Sequence, residues 1–194
     1  EDADVYAFVK NNGGKVAVYK ENLYKPMPGY RFIASNTDRS RYYVGELNGK
    51  SSKQAYMDAL HISESNIINQ TFHNPLGKMN GQDICIISLK EVSGNGLCCY
   101  RQVNDSDVLV LLEEQDYNEI LDETLQRIRR DFNHISGVFS INCVFRYLLF
   151  SQEHHMEDYL KTMSTLGEHA GLIGFGEHYN QQFVNQTMTC VVFE

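Results

Sequence analysis

Ala170-Gly-Leu-Ile-Gly-Phe-Gly-Glu-His-Tyr-Asn-Gln-Gln-Phe-Val-Asn-Gln-Thr-Met-Thr-Cys-Val-Val-Phe193 is the stretch whose reading decides the fold. Three glycines alternate with Leu172, Ile173 and Phe175, a carboxylate and an imidazole follow, and a second apolar run returns after a short polar gap. The pattern predicts a β-hairpin with chemistry at its bend. With Tyr179 to Gln182 as the turn, His178 faces Phe183, Gly176 lies opposite Asn185 and Gly174 opposite Thr187. Glycines across from an Asn and a Thr leave a shallow polar trough for a small ligand or a packed helix, packing being the commoner cause of strand glycines. A slip of one residue sets Glu177 opposite Asn185 instead, so parity leaves open which polar group lines the trough.

Upstream, Val138-Phe-Ser-Ile-Asn-Cys-Val-Phe-Arg-Tyr-Leu-Leu-Phe150 reads as one apolar strand. Its alternation places Cys143 and Arg146 on opposite faces. A guanidinium in a central strand calls for a carboxylate or an anionic ligand. A buried pair with Glu177 or Glu157 and a bound ligand both satisfy that demand. An enzyme reading makes Cys143 a nucleophile, His178 its base and Asn185 or Glu177 the orienter, but apolar neighbours raise a thiol pKa. A metal reading uses His154, His155, Glu157 and His178; only His154 and Glu157 share a helix face, as in any solvated first turn. No P-loop or dinucleotide fingerprint is present, and no cofactor is expected.

Outward from this core the punctuation is clear. Lys15 to Tyr19 reads as a strand, Val5 to Val9 as a short helix or strand, and Pro26-Met-Pro-Gly29 as a break. Arg31 to Ser35 and Arg41 to Leu47 form a hairpin around Asn36 to Arg39. Ser51-Ser-Lys-Gln54 has capping-box spacing and opens a helix, and Ser63 to Phe72 adds a second that Pro75 ends. Ile84 to Leu89, Gly96 to Arg101 and Asp107 to Leu112 read as an antiparallel meander. The clearest helix runs from Asp116 to Ser136, with Leu121, Leu125 and Ile128 at steps of three and four, and another runs from Glu153 to Leu166. Strands pairing with near neighbours and helices collected on them predict an α+β domain, a mostly antiparallel sheet with helices packed on it.

Composition excludes some functions. With 25 acidic against 17 basic residues, a net charge of −8 and no basic run, nucleic acid is not an expected partner. Apolar runs such as Val144 to Phe150 are too short for a bilayer, so no membrane partner is expected. Five cysteines without a C-x-x-C pair read as buried apolar residues in a reducing compartment. No secretory n-region precedes the opening Glu1-Asp-Ala-Asp4, and the chain is expected to be a piece of something longer.

Ile141-Asn-Cys143-x-x-Arg146, a Glu-containing helix, Gly171-x-x-Gly-x-Gly-Glu177 and Asn185-x-Thr187 before an apolar end resemble, in order and spacing, the C-terminal half of FIST domains. That name stands for F-box and intracellular signal transduction. Val44-Gly-Glu-Leu-Asn-Gly-Lys50 and Asn74-Pro-Leu-Gly77 resemble the same domain's opening. The resemblance implies residues 41–194 as a sensory domain and 1–40 as the tail of an N-terminal FIST half or a linker. It also implies a cytoplasmic, non-catalytic module of signal transduction that binds small molecules such as amino acids and works with an output domain or partner protein. Motif match carries over Cys143, Arg146, Glu177, Asn185 and Thr187 as ligand-binding residues. The opposite charges of Arg146 and Glu177 beside the glycine-rich hairpin suggest a clamp for the two ends of a zwitterion. The alternatives are a hydrolase using Cys143 and a structural half-domain whose sheet edge docks a partner.

Overall fold

The computed structural model describes residues 8–81 and 83–194. In chain order its first elements are β1 (Val16–Asn22), β2 (Tyr24–Asp38), β3 (Tyr43–Leu47), β4 (Lys50–Ser51), α1 (Ser52–Leu60) and α2 (Ile67–Gln70). There follow β5 (Leu76–Asn80), β6 (Asp83–Ile87), β7 (Leu89–Ser93), β8 (Gly96–Cys99), β9 (Val108–Glu114) and α3 (Tyr117–Asp131). The last third holds β10 (Gly137–Cys143), α4 (Val144–Gln152), α5 (Met156–Met163), β11 (Glu168–Gly174), β12 (Glu177–Tyr179), β13 (Gln182–Val184) and β14 (Thr187–Phe193). The class is α+β, as expected.

Three sheets form. The smaller main sheet has the order β1-β14-β10-β11, antiparallel except for the parallel pair β10 and β11. The larger runs β6-β5-β9-β2-β3-β8-β7 with β4 beside β3, and all its pairings are antiparallel. β12 and β13 pair only with each other. One core gathers Tyr19, Cys190, Val192 and Val138 from the smaller sheet with Leu121, Leu125 and Ile128 of α3 and Phe150 and Tyr159 of α4 and α5. Each such buried aliphatic side chain contributes about 1.5–3 kcal/mol. The second core packs Ala55 and Tyr56 of α1 on the larger sheet. β9 serves both, Val110 and Leu112 facing the first core and Leu109 and Leu111 the second, which is why its run is apolar without alternation.

Local signals held. Ser51 Oγ accepts from the Gln54 amide at 3.3 Å, and Asp116 caps α3 through the Asn118 and Glu119 amides at 2.9 and 3.0 Å. The turn at Tyr179 to Gln182 is as predicted, with His178 opposite Phe183.

Other expectations are corrected. The strand expected over Val138 to Phe150 ends at Cys143, and α4 begins at the next residue with Arg146, Leu149 and Phe150 buried at helical spacing. The parity argument separating Cys143 from Arg146 therefore does not apply. The long hairpin is also replaced: only β12 and β13 pair, while β10 inserts between the flanking strands, so Gly174 lies opposite Cys143 and Thr187 opposite Asn22. Pro26 to Gly29 do not break the chain; β2 runs through them, Pro26 still opposite Leu112, with a register shift between Pro26 and Arg31 that takes in Pro28. The first hairpin turns at Arg39 to Tyr42, three residues later than expected, because Thr37 and Asp38 still pair with Val44 and Tyr43.

The long helix stops at Asp131, where Phe132 turns extended and buries in the core. The second expected helix is a single turn after a short 3-10 segment. The expected meander is not consecutive, since β6 pairs with β5, β7 with β8 and β9 with β2 and β5. Of the element expected over Val5 to Val9, the first three positions lie outside the described residues, and Phe8 and Val9 are in neither helix nor strand.

Candidate functional site

The parallel strands β10 and β11 end side by side at Cys143 and Gly174. Ligand sites in sheets with parallel strands favour such carboxyl ends. Cys143 leaves the strand with φ −59° and ψ 140°, and the first turn of α4 starts there. On the other branch, Gly176 has φ +126°, and a Cβ there would lie 2.5 Å from Phe183 and 3.2 Å from the Asn185 Oδ1. The conformation thus calls for glycine, and the bend there brings the hairpin to the end of β10.

Beyond this bend Glu177 turns inward. It is 2% exposed, and its Oε2 accepts a hydrogen bond from Thr187 Oγ1 at 2.8 Å. The Cys143 thiol lies beside the same carboxylate, whose Oε1 has no donor among the described residues. Burial pushes the carboxyl up to about 7 against the opposing pull of Thr187, Cys143 and the Arg146 charge. Burial and the neighbouring Glu177 push the Cys143 thiol up to about 11, although the amides of Gln186, Phe145 and Arg146 point to it. A thiol so placed is protonated at neutral pH and is a poor nucleophile. His178, the base of the hydrolase reading, lies on the exposed parity of β12 with its ring against Phe183 at 5.4 Å.

Asn185 is 8% exposed and makes no hydrogen bond among the described residues. It lines a pocket of about 90 Å³ together with Cys143, Val144, Phe145, Phe175 and Phe183, closed on the larger-sheet side by Ser88 and Tyr100. Phe145 wedges between Phe72 and Tyr100, each ring 5.2 Å away. Gln186, with φ 53°, ties the sheets together by donating to Ser88 Oγ at 2.8 Å and the Thr71 carbonyl at 3.2 Å.

Arg146 is fully buried on the first turn of α4, and its partner is Glu21 of β1. This corrects the expected pairing with Glu177 or Glu157. The guanidinium stacks over Phe150 at 4.6 Å and Tyr159 at 5.4 Å, and its Nε and Nη1 have no acceptor among the described residues. The structure thus brings Cys143, Glu177 and Thr187 into contact, places Asn185 on the pocket wall, and sets Arg146 one layer behind. Glu21 is the member that sequence reasoning missed. Its signal was inward parity with Ala17 and Tyr19 along β1, where a carboxylate needs a buried partner.

The metal reading finds no support. His154 takes φ 55°, His155 packs on Phe150 and Tyr117 at 4.8 and 5.3 Å, and no group of three His, Cys, Asp or Glu side chains among the described residues is placed to hold an ion. No described helix is long and apolar enough to cross a membrane.

A family model for the FIST C domain matches residues 53–180. The chain belongs to that family. No curated protein and no solved structure matches the chain significantly. The FIST C match takes in the β10-α4-α5-β11 unit and Glu177, so Cys143 and Arg146 lie inside it. Glu21, Asn185 and Thr187 lie outside the matched span, Glu21 bonded to Arg146 and Thr187 to Glu177.

Proposed function

We propose that this FIST C domain is a non-catalytic sensory module of signal transduction that binds a small zwitterion, such as an amino acid, in the pocket between Cys143 and Asn185. The observation that carries this reading is Glu177, a buried carboxylate beside Cys143 of the pocket wall, whose Oε1 lacks a donor among the described residues. An ammonium group supplies that donor and favours the ionised carboxylate. The acid end of the same solute meets the N-terminal amides of α4 and the side chain of Asn185, with the Arg146 charge adding attraction from the same turn. Thr187 and Cys143 hold Glu177 in place. Because Glu21 already pairs with Arg146, the earlier picture of a direct two-residue clamp becomes one in which Arg146 acts from behind the pocket. A volume of about 90 Å³ selects for a small solute.

Residues 41–194 form the sensory domain in this reading, and residues 1–40 are the tail of an N-terminal FIST half whose strands β1 and β2 complete both main sheets. Five free thiols support a reducing, cytoplasmic setting, and the output passes to a signalling domain or partner protein.

A thermal-shift screen of the amino acids tests the reading. At ten times its dissociation constant, one amino acid stabilises the wild type by about 1.4 kcal/mol, and Glu177→Gln and Asn185→Leu fail to respond. A wild type that no amino acid stabilises removes the proposal.

A further inference from the structure

The helix-covered face of β10 holds a second concavity, separate from the Cys143 pocket. A groove of about 240 Å³ opens at the β11 edge, lined among others by Asn142, Met156, Tyr159, Leu160, His169 and Ile173. Its origin is a missing side chain. The inward positions of β11 are His169, Gly171 and Ile173, paired with Val138, Ser140 and Asn142. A Cβ on Gly171 would come within 2.6 Å of the Ser140 carbonyl and hydroxyl oxygens, so this position must stay glycine and the hollow stays open.

The floor is polar and directional. Asn142 Nδ2 donates to the Tyr159 hydroxyl at 3.0 Å, and Ser140 Oγ lies 2.9 Å from His169 Nε2. Asn142 is 7% exposed, and its Oδ1 is left with no donor among the described residues. A buried acceptor in this state costs about 1–3 kcal/mol, which a ligand N–H or O–H recovers. No lining residue is ionised, since burial lowers the His169 pKa and keeps the ring neutral. A charged solute would lose its hydration there without a counter-charge. Leu160 and Ile173, both 47% exposed, form an apolar rim over this floor. Apolar walls converging on a few fixed polar groups are the usual makeup of a small-molecule site.

We propose that the groove between α5 and β11 is a second ligand site, which takes an uncharged, planar, apolar molecule with one N–H or O–H donor directed at Asn142 Oδ1. It goes beyond the zwitterion pocket, from which it differs in face, lining and charge preference.

Indole is a suitable probe, with 1-methylindole as the same shape without the donor. Titration into the full chain, followed by amide NMR, is expected to give saturable shifts at Gly171, Leu172 and Ile173. Binding of 1-methylindole is expected to be about tenfold weaker, the effect of one hydrogen bond to a buried acceptor. Leu160→Trp, a change at a half-exposed helix position that fills the groove, is expected to abolish indole binding while the chain keeps its fold by circular dichroism. Absence of saturable shifts, equal affinity for 1-methylindole, or undiminished binding to Leu160→Trp each overturns the proposal. The amino-acid response of Leu160→Trp is read in parallel, so that failure of this site and failure of the Cys143 pocket are told apart.

Discussion

Two buried carboxylates near the end of β10 stand in opposite circumstances. Glu21 and Glu177 are each 2% exposed, and each has one carboxylate oxygen bonded and one without a donor among the described residues. Glu21 meets a guanidinium, whereas Glu177 meets a hydroxyl and a thiol. The ion pair compensates the loss of hydration around Glu21 with opposite charge. Two neutral neighbours do not do so for Glu177, whose pKa is accordingly pushed up to about 7. Equal burial therefore marks one region as framework and the other as a place where a charge from outside has something to gain.

The largest effect that tests this contrast comes from breaking the ion pair. Arg146→Ala strands Glu21 in the core and is expected to cost about 3–5 kcal/mol in urea denaturation, whereas the double replacement Glu21→Leu with Arg146→Met recovers most of that loss. A cost below about 1 kcal/mol for the single change would make the Glu21 region no more than a surface-like pair.

Next in size is the pH dependence at Glu177. Its folded-state pKa lies above the ordinary 4.5, so between pH 4.5 and about 7 the folded protein holds a proton that the unfolded chain has released. The corresponding stability is fully present below pH 4.5 and is lost as pH rises through 7, by roughly 3 kcal/mol at ~1.4 kcal/mol per pH unit. Glu177→Gln is expected to remove this slope from unfolding free energies measured across that window. An identical slope in wild type and variant would show that Glu177 titrates as an ordinary carboxylate and would erase the difference between the regions. The smallest effect sharpens it. Thr187→Val deletes one donor to Glu177 and is expected to cost about 1–2 kcal/mol above pH 7 and less below pH 4.5, because only the ionised carboxylate needs that bond strongly.

What was legible in the sequence was local. The spacing of Leu121, Leu125 and Ile128, the caps at Ser51 and Asp116, and the turn after His178 each depend on residues within a few positions of one another, and each appears as expected. The order of motifs from Cys143 to Thr187 also pointed to the right family. What was not legible depended on distance or on ambiguity. Val144 to Phe150 is apolar almost throughout, so periods of two and 3.6 fit it equally well, and only the packing of Arg146, Leu149 and Phe150 against the core selects the helix. The partner of Arg146 lies 125 residues away in the chain. The insertion of β10 between β11 and β14 is likewise a non-local choice, in which a nearby hairpin was displaced by a strand from another part of the chain.

β9 carries one more consequence. Because its alternate side chains belong to different cores, neither core opens without stripping one face of the strand that the other relies on. The two cores are therefore expected to unfold as a single cooperative unit, with the amides of β9 among the slowest to exchange with solvent. A ligand that tightens one sheet is felt across that shared wall as slower hydrogen exchange in the other.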